Sequence, residues 1–295
     1  MSAPKQKKSH KEKAMISVLT NVASLDAQRN LANTQNSLAQ SIGRLSSGMR
    51  INSASDDAAG LGISESLKAD ISSMGQAQRN SNDGISMSQV AEGGMNQMQG
   101  IVSRMRELAV QSSNQTLGAT ERGYIQTEFS QLGQEIDRIS NVTDFAGQKL
   151  LDGSASAGLT LQVGINNTAN DRLTFKITKL ATTTLGSTSL HVGSASLSTA
   201  TNAQKAISVF DKAIQQLSSA RASIGASQNR LNVTVSNLSV AQENLSAAQS
   251  RITDVDVASE TAALTRSQIL SQAGLAVLGQ ANKMPQSALS LLQNM

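Results

Sequence analysis

Apolar residues recur at helical spacing over both ends of this 295-residue chain and at every second position in its middle. That change of period decides most of what it can fold into. Leu31, Leu38, Ile42, Leu45 and Met49 make a first stripe, stepping by 7, 4, 3 and 4. Ile63, Leu67, Ile71 and Met74 make another, followed by Met98, Ile101, Met105 and Leu108, then by Ile125, Phe129, Leu132, Ile136 and Ile139. Ile207, Phe210, Ile214, Leu217 and Ile224 resume the rhythm near the far end, and Leu231, Leu238, Leu245 and Ile252 hold a strict sevenfold spacing of coiled-coil type. A last seam runs through Leu270, Val277, Ala281, Met284, Ala288 and Leu291. Between these blocks, Leu159, Leu161, Val163, Ile165 and then Leu173, Phe175, Ile177 alternate by two around the polar run "NNTAND", the pattern of a β-hairpin.

The expected fold class is therefore mainly α: a long antiparallel helical hairpin with a terminal coiled coil, plus a small β-hairpin element near the tip. Two terminal seams too thin to stand alone would pair with each other. Composition agrees. Aromatics are 2% of the chain, so packing falls to Leu, Ile, Val, Met and Ala, which suits helices zipped along narrow seams. Pro4 and Pro285 are the only prolines, so little interrupts a long helix. Cysteine is absent, which removes disulfides, thiolate metal sites and a cysteine nucleophile.

The pI near 9.5 suggests nucleic acid until the charge is located. The leader "MSAPKQKKSHKEKA" holds five lysines and one glutamate, the whole of the +4 net charge; the body carries 20 basic and 20 acidic residues. A neutral body has no field for phosphates and favours self-association. No apolar run approaches the roughly 18 residues that cross a bilayer, and no uninterrupted hydrophobic stretch of secretory type follows the leader. Neither nucleic acid nor membrane is expected as a partner.

The residues then carry a resemblance. "LSSGMRINSASDDAAGLGIS", "MRELAVQSSNQT" and the tail "ENLSAAQSRITDVDVASETAALTRSQILSQAGLAVLGQANKMPQSALSLLQ" are similar, in this order, to the signatures of bacterial flagellins. The resemblance covers about Met15 to Ala146 and Lys205 to Gln293; the leader lies outside it, and Met15 is itself a candidate initiator. The basic leader (1–14) is expected to be disordered on its own terms, while the resemblance implies a terminal coiled-coil domain (15–47 and 256–295), a joint (48–60), and a helical domain (61–255). That domain holds a β-hairpin at about 159–177 and a short surface excursion at about 180–203, with no outer inserted domains. It also implies a secreted structural subunit of the flagellar filament used for motility. The implied partners are copies of itself, flagellar cap and hook-associated proteins, an export chaperone and the type III export apparatus. A hook-filament junction protein shares such ends but departs from this tail. A chemoreceptor-like signalling coiled coil, the reading from another class, requires heptads through the tip, where this chain turns to period two.

Candidate site residues follow. Leu31, Leu38, Ile42, Leu45, Leu270, Val277, Met284 and Leu291 are the expected filament-core seams, completing their burial only on stacking, so the ends are expected to be disordered in the monomer. Asp56 and Asp57 precede a helical stripe, where acidic side chains accept from unpaired amides and meet the positive end of the helix dipole; a calcium or magnesium site requires more oxygen ligands than this run offers. They belong to the joint. Asp254, Asp256 and Glu260 read likewise as charges at the start of the last helix. Arg104 and Leu108 lie four apart, with Glu128 on the following helix, and read first as subunit packing. The resemblance implies that the matching residues are also the main epitope of the vertebrate flagellin-sensing Toll-like receptor, with Ser103 standing where the pattern has Gln. No catalytic, cofactor or metal residues are expected. The two histidines, His10 and His191, form no HExxH, and no nucleophilic triad can be assembled. Gly60 and Gly62 lack the preceding strand of a phosphate loop.

Overall fold

The computed structural model describes residues 20–186 and 190–293, with side chains through 285. The leader and the side chain of Leu291 lie outside the described residues. Five long helices follow the stripes: α1 (Val22–Ser47), α2 (Ala58–Ser112), α3 (Ala119–Val142), α4 (Ala200–Thr253) and α5 (Val257–Gln293). The chain divides into two compact units, residues 67–247 and residues 1–66 with 248–295.

In the larger unit, α2 and α4 run antiparallel. Polar rungs fix their register: Gln78 to Ser239 at 2.8 Å, Glu92 to Arg221 at 3.5 Å, and Arg106 to Asp211 at 2.6 Å. Methionine dominates the buried face of α2, with Met95, Met98 and Met105 closed off from solvent beside Leu108. Phe129 on α3 meets Phe210 on α4 edge to face, ring centroids 5.8 Å apart, a favoured aromatic geometry. The predicted hairpin forms as β3 (Leu159–Gln162) and β4 (Arg172–Phe175), pairing Leu159 with Phe175 and Leu161 with Leu173. Just before it lies an unanticipated hairpin, β1 (Asp144–Phe145) and β2 (Gln148–Lys149), turning through Ala146 and Gly147, both at positive φ.

The Ser/Thr/Gly-rich excursion does not stay at the surface. Leu180, Leu185, Val192 and Leu197 are each buried in the main apolar cluster. Side chains from three helices hold this irregular strap. Asp137 accepts from Thr182 N (2.9 Å) and Oγ1 (2.8 Å); Gln216 pairs with Gly186 N and O at 2.9 and 3.0 Å; Gln126 accepts from Leu197 N, and Ser112 donates to Leu197 O. Those partners satisfy backbone groups that would otherwise be buried unpaired.

Candidate functional site

The smaller unit is built on α1 and α5, packed antiparallel. Along α1 the covered positions are Ser24, Ala27, Leu31, Thr34, Leu38, Ser41 and Leu45; along α5 they are Leu264, Ser267, Ser271, Gly274, Leu278 and Ala281. Both sets alternate steps of 3 and 4, as coiled-coil seams do. Leucine appears about once per heptad, with Ser, Thr, Ala and Gly between. A fully buried leucine contributes about 1.5–3 kcal/mol, and these are half-buried. Fixing each backbone residue costs about 1–2 kcal/mol, so this seam is marginal by itself.

Asn21 closes one end. Its Oδ1 accepts from Ser24 N (3.1 Å), capping α1, while its Nδ2 donates to Ala281 O (2.8 Å) on α5. The second bond has a covalent reason. Pro285 lies inside α5 and has no N–H, so the carbonyl four residues back, that of Ala281, lacks its helical donor. Asn21 supplies one from the other helix.

The expected seam residues divide between two faces. Leu31, Leu38, Leu45 and Ala281 meet the partner helix. Ile42 (52% exposed), Leu270 (52%), Val277 (59%) and Met284 (54%) leave more than half their surface open, as do Leu25, Ile269 and Leu275. The helices pair as expected, but α5 turns Leu264 and Leu278 with Ser, Gly and Ala toward α1 and leaves Ile269, Leu270, Leu275, Val277 and Met284 mostly exposed. Two helices can cover only one stripe of a helix that is apolar on most sides.

At the joint, α1 and α4 stop and α2 and α5 start. Gly48, at φ 72°, ends α1 in the left-handed conformation that favours glycine. Met49 and Asp254 then form an isolated antiparallel bridge, Arg50 N donating to Thr253 O (2.6 Å) and Val255 N to Gly48 O (3.0 Å). The Arg50 guanidinium donates to Ile252 O (2.8 and 3.3 Å) in the last turn of α4, where cations are favoured. Asp57 accepts from Gly60 N (2.8 Å) at the start of α2, and Asp256 accepts from Ala258 N and Ser259 N at the start of α5. Asp56 serves the loop instead. It accepts from Asn52 N, Ser53 N and Oγ, and Gln40 Nε2, and these donors, the Asn52 amide foremost, hold its carboxyl below the usual range. Arg44 spans from Asp56 (4.0 Å) to Glu260 (3.8 Å). A Cβ at position 60 would lie 2.5 Å from Asp57 Oδ2 and 2.8 Å from Ile51 Cδ1. The glycine thus makes room for a cap and a buried anchor. Arg50 and Ile51 lie within the expected joint, but the Arg50 contact was not legible there, since its partner Ile252 lies 202 residues away.

On the other unit, Arg104 Nε donates to Glu128 Oε1 (3.0 Å) and Nη1 to Glu107 Oε2 (3.1 Å), both raising the basicity of the guanidinium, Glu128 the more. Leu108 is 1% exposed and turned into the core, so the surface here belongs to Arg104, Glu107 and Glu128, with exposed Tyr124 one turn before Glu128. Ser103 Oγ donates back to Gln99 O at 2.9 Å. Among the described residues no group of three His, Cys, Asp or Glu side chains gathers at metal-binding spacing, and no helix is long and apolar enough to cross a membrane.

Comparison with known proteins gives these surfaces a family. Residues 18–156 match the bacterial flagellin N-terminal helical region, and residues 207–292 match the bacterial flagellin C-terminal helical region. A flagellin of Halalkalibacterium halodurans is 44% identical over 92% of this chain and 98% of its own length. Polar flagellin F of Vibrio parahaemolyticus is 46% identical over 54% of this chain, which is 44% of that protein. The chain thus spans nearly all of the first relative and less than half of the second. Among solved structures, Bacillus cereus flagellin aligns with a TM-score of 0.47 at 31% identity, over 54% of this chain and 88% of that one. With both helical regions matched in order and one relative aligned almost end to end, this chain belongs to the bacterial flagellin family.

Proposed function

We infer that this chain is a structural subunit of the bacterial flagellar filament, exported from the cell and polymerised with copies of itself for swimming motility. The observation that carries the mechanism is the outward apolar face of the terminal helices, Ile42, Ile269, Leu270, Val277 and Met284. Such a face on a marginal two-helix pair is completed by copies of the same chain. Assembly and folding of the ends are then one event, and ends that are loose before assembly suit passage through a narrow type III export channel with a chaperone. Flagellar cap and hook-associated proteins would meet the same helices where the filament begins and ends.

A second role attaches to Arg104 and Glu128. Their exposed ion pair, with Tyr124 beside it and Leu108 supporting it from beneath, offers the flagellin-sensing Toll-like receptor a surface on the released monomer. Purified monomer is expected to activate receptor-bearing reporter cells, and silence at concentrations where other flagellins act would refute this role. For the filament itself, purified subunit seeded in solution is expected to form helical filaments by electron microscopy. Persistent monomers would refute it.

A further inference from the structure

Each terminal helix carries two heptad seams, and the chain fills one of them. On α5 the seam toward α1 runs through Leu264, Ser267, Ser271, Gly274, Leu278 and Ala281. One position out of phase lies a second: Arg266, Leu270, Ala273, Val277, Gln280 and Met284, stepping by 4, 3, 4, 3 and 4, all exposed. α1 repeats the arrangement. Beside its filled seam run Leu25, Gln28, Ala32, Gln35, Ala39 and Ile42, stepping by 3, 4, 3, 4 and 3, again all exposed. On a helix of 3.6 residues per turn the two seams are roughly 100° apart, room for a separate helical neighbour.

The second seams lie on opposite flanks of the pair. A groove of about 280 Å³ along one flank is lined by Leu270, Ala273 and Val277 of α5 with Asn30 and Thr34 of α1. Asn30 sits on the other side of the filled seam of α1 from Leu25, Ala32, Ala39 and Ile42, and Thr34 lies at that edge of the seam. One flank therefore presents the second seam of α5, and the other presents that of α1. A self-complementary patch would close into a two-fold dimer, whereas unlike flanks join head to tail and do not stop at two. The two seams also match in kind, each setting large apolar residues among alanine and glutamine, so that large side chains of one can fill spaces over the small ones of the other.

We propose that the second seam of α5 receives the second seam of α1 from another copy, extending one helix pair into a continuous helical layer. This rests on the filament reading and specifies which faces meet. The absence of cysteine from the chain makes the test clean. Chains with Val277→Cys are copolymerised with chains carrying Leu25→Cys, Ala32→Cys, Ala39→Cys or Ile42→Cys, diluted into parent subunit, and oxidised. With one thiol per chain every disulfide joins two copies. Covalent heterodimers are expected with these α1 variants and are expected to be lost with Asn33→Cys, which lies off both seams. Filaments that give only Val277→Cys homodimers, or heterodimers with Asn33→Cys as readily, or no dimers, overturn the pairing while leaving the filament reading intact. Parent subunit that never forms filaments overturns both.

Discussion

Replacing Asn21 by Ser isolates what the bond across the terminal pair is worth. Serine caps a helix about as well as asparagine, so the start of α1 keeps its acceptor, but its side chain is too short to donate to Ala281 O. That carbonyl belongs to a residue only 6% exposed and has no helical donor, because Pro285 follows four residues later. Leaving it unpaired costs about 1–3 kcal/mol. At about 1.4 kcal/mol per decade this raises the critical concentration for filament assembly roughly 5- to 150-fold. The decisive arm is Pro285→Ala, which restores an N–H four residues after Ala281 and lets α5 satisfy its own carbonyl. In that background the Asn21→Ser penalty is expected to fall below about 0.5 kcal/mol, the level at which unlinked sites add. Critical concentrations of the four proteins, measured by sedimentation, complete the cycle. An equal penalty in both backgrounds would refute the argument that Asn21 answers the missing proline N–H.

Other outcomes follow from the same geometry. Gly93→Ala, where an added Cβ meets nothing, is expected to stabilise α2 by about 0.8–1 kcal/mol. Gly94→Ala would place a Cβ 2.9 Å from Leu151 Cδ1 and Thr143 Oγ1, and overpacking of about 1–3 kcal/mol offsets the gain, so thermal melts of the two should shift in opposite directions or differ by several degrees. Ala146, at φ 51° in a two-residue hairpin turn followed by Gly147, is expected to gain stability on replacement by Asn, which tolerates that conformation; a lower melting temperature would contradict the turn. Asp57→Ala is expected to cost about 1 kcal/mol through loss of the Gly60 cap, read as faster amide exchange in the first turn of α2. The Asp56 carboxyl titrates lower in the folded joint than in the unfolded chain. Its contribution is therefore present above the ordinary aspartate value of about 3.9 and lost as pH falls through the lower folded value; an NMR titration that shows an ordinary value would contradict its four donors.

Much of this fold was legible because its helices are long and their stripes regular. The spacing of Met98 to Leu108 and of Ile125 to Ile139 gave the buried faces of α2 and α3, and alternation by two located β3 and β4. The seam of α5 was harder. Leu270, Val277 and Met284 are its larger side chains, and periodicity cannot tell which of two offset heptads meets α1 when the covered one is Ser, Gly and Ala with occasional Leu. The strap from Leu180 to Leu197 escaped for another reason: its isolated apolar residues show no period, and its backbone is held by Asp137, Gln126 and Gln216 from distant helices. Strands of two residues, like β1 and β2, are too short to alternate visibly. In the joint, Asp57 and Asp256 carry local capping signals, whereas the Arg50 contact with Ile252 is set by tertiary approach alone.

Hydrogen exchange of the same subunit before and after polymerisation tests the central claim most directly. Amides of residues 22–47 and 257–285 are expected to exchange rapidly in the monomer and slowly in the filament, while the helices of residues 67–247 stay protected in both. Equal, strong protection of the terminal helices in monomer and filament would contradict an account in which the ends complete their folding only against other copies.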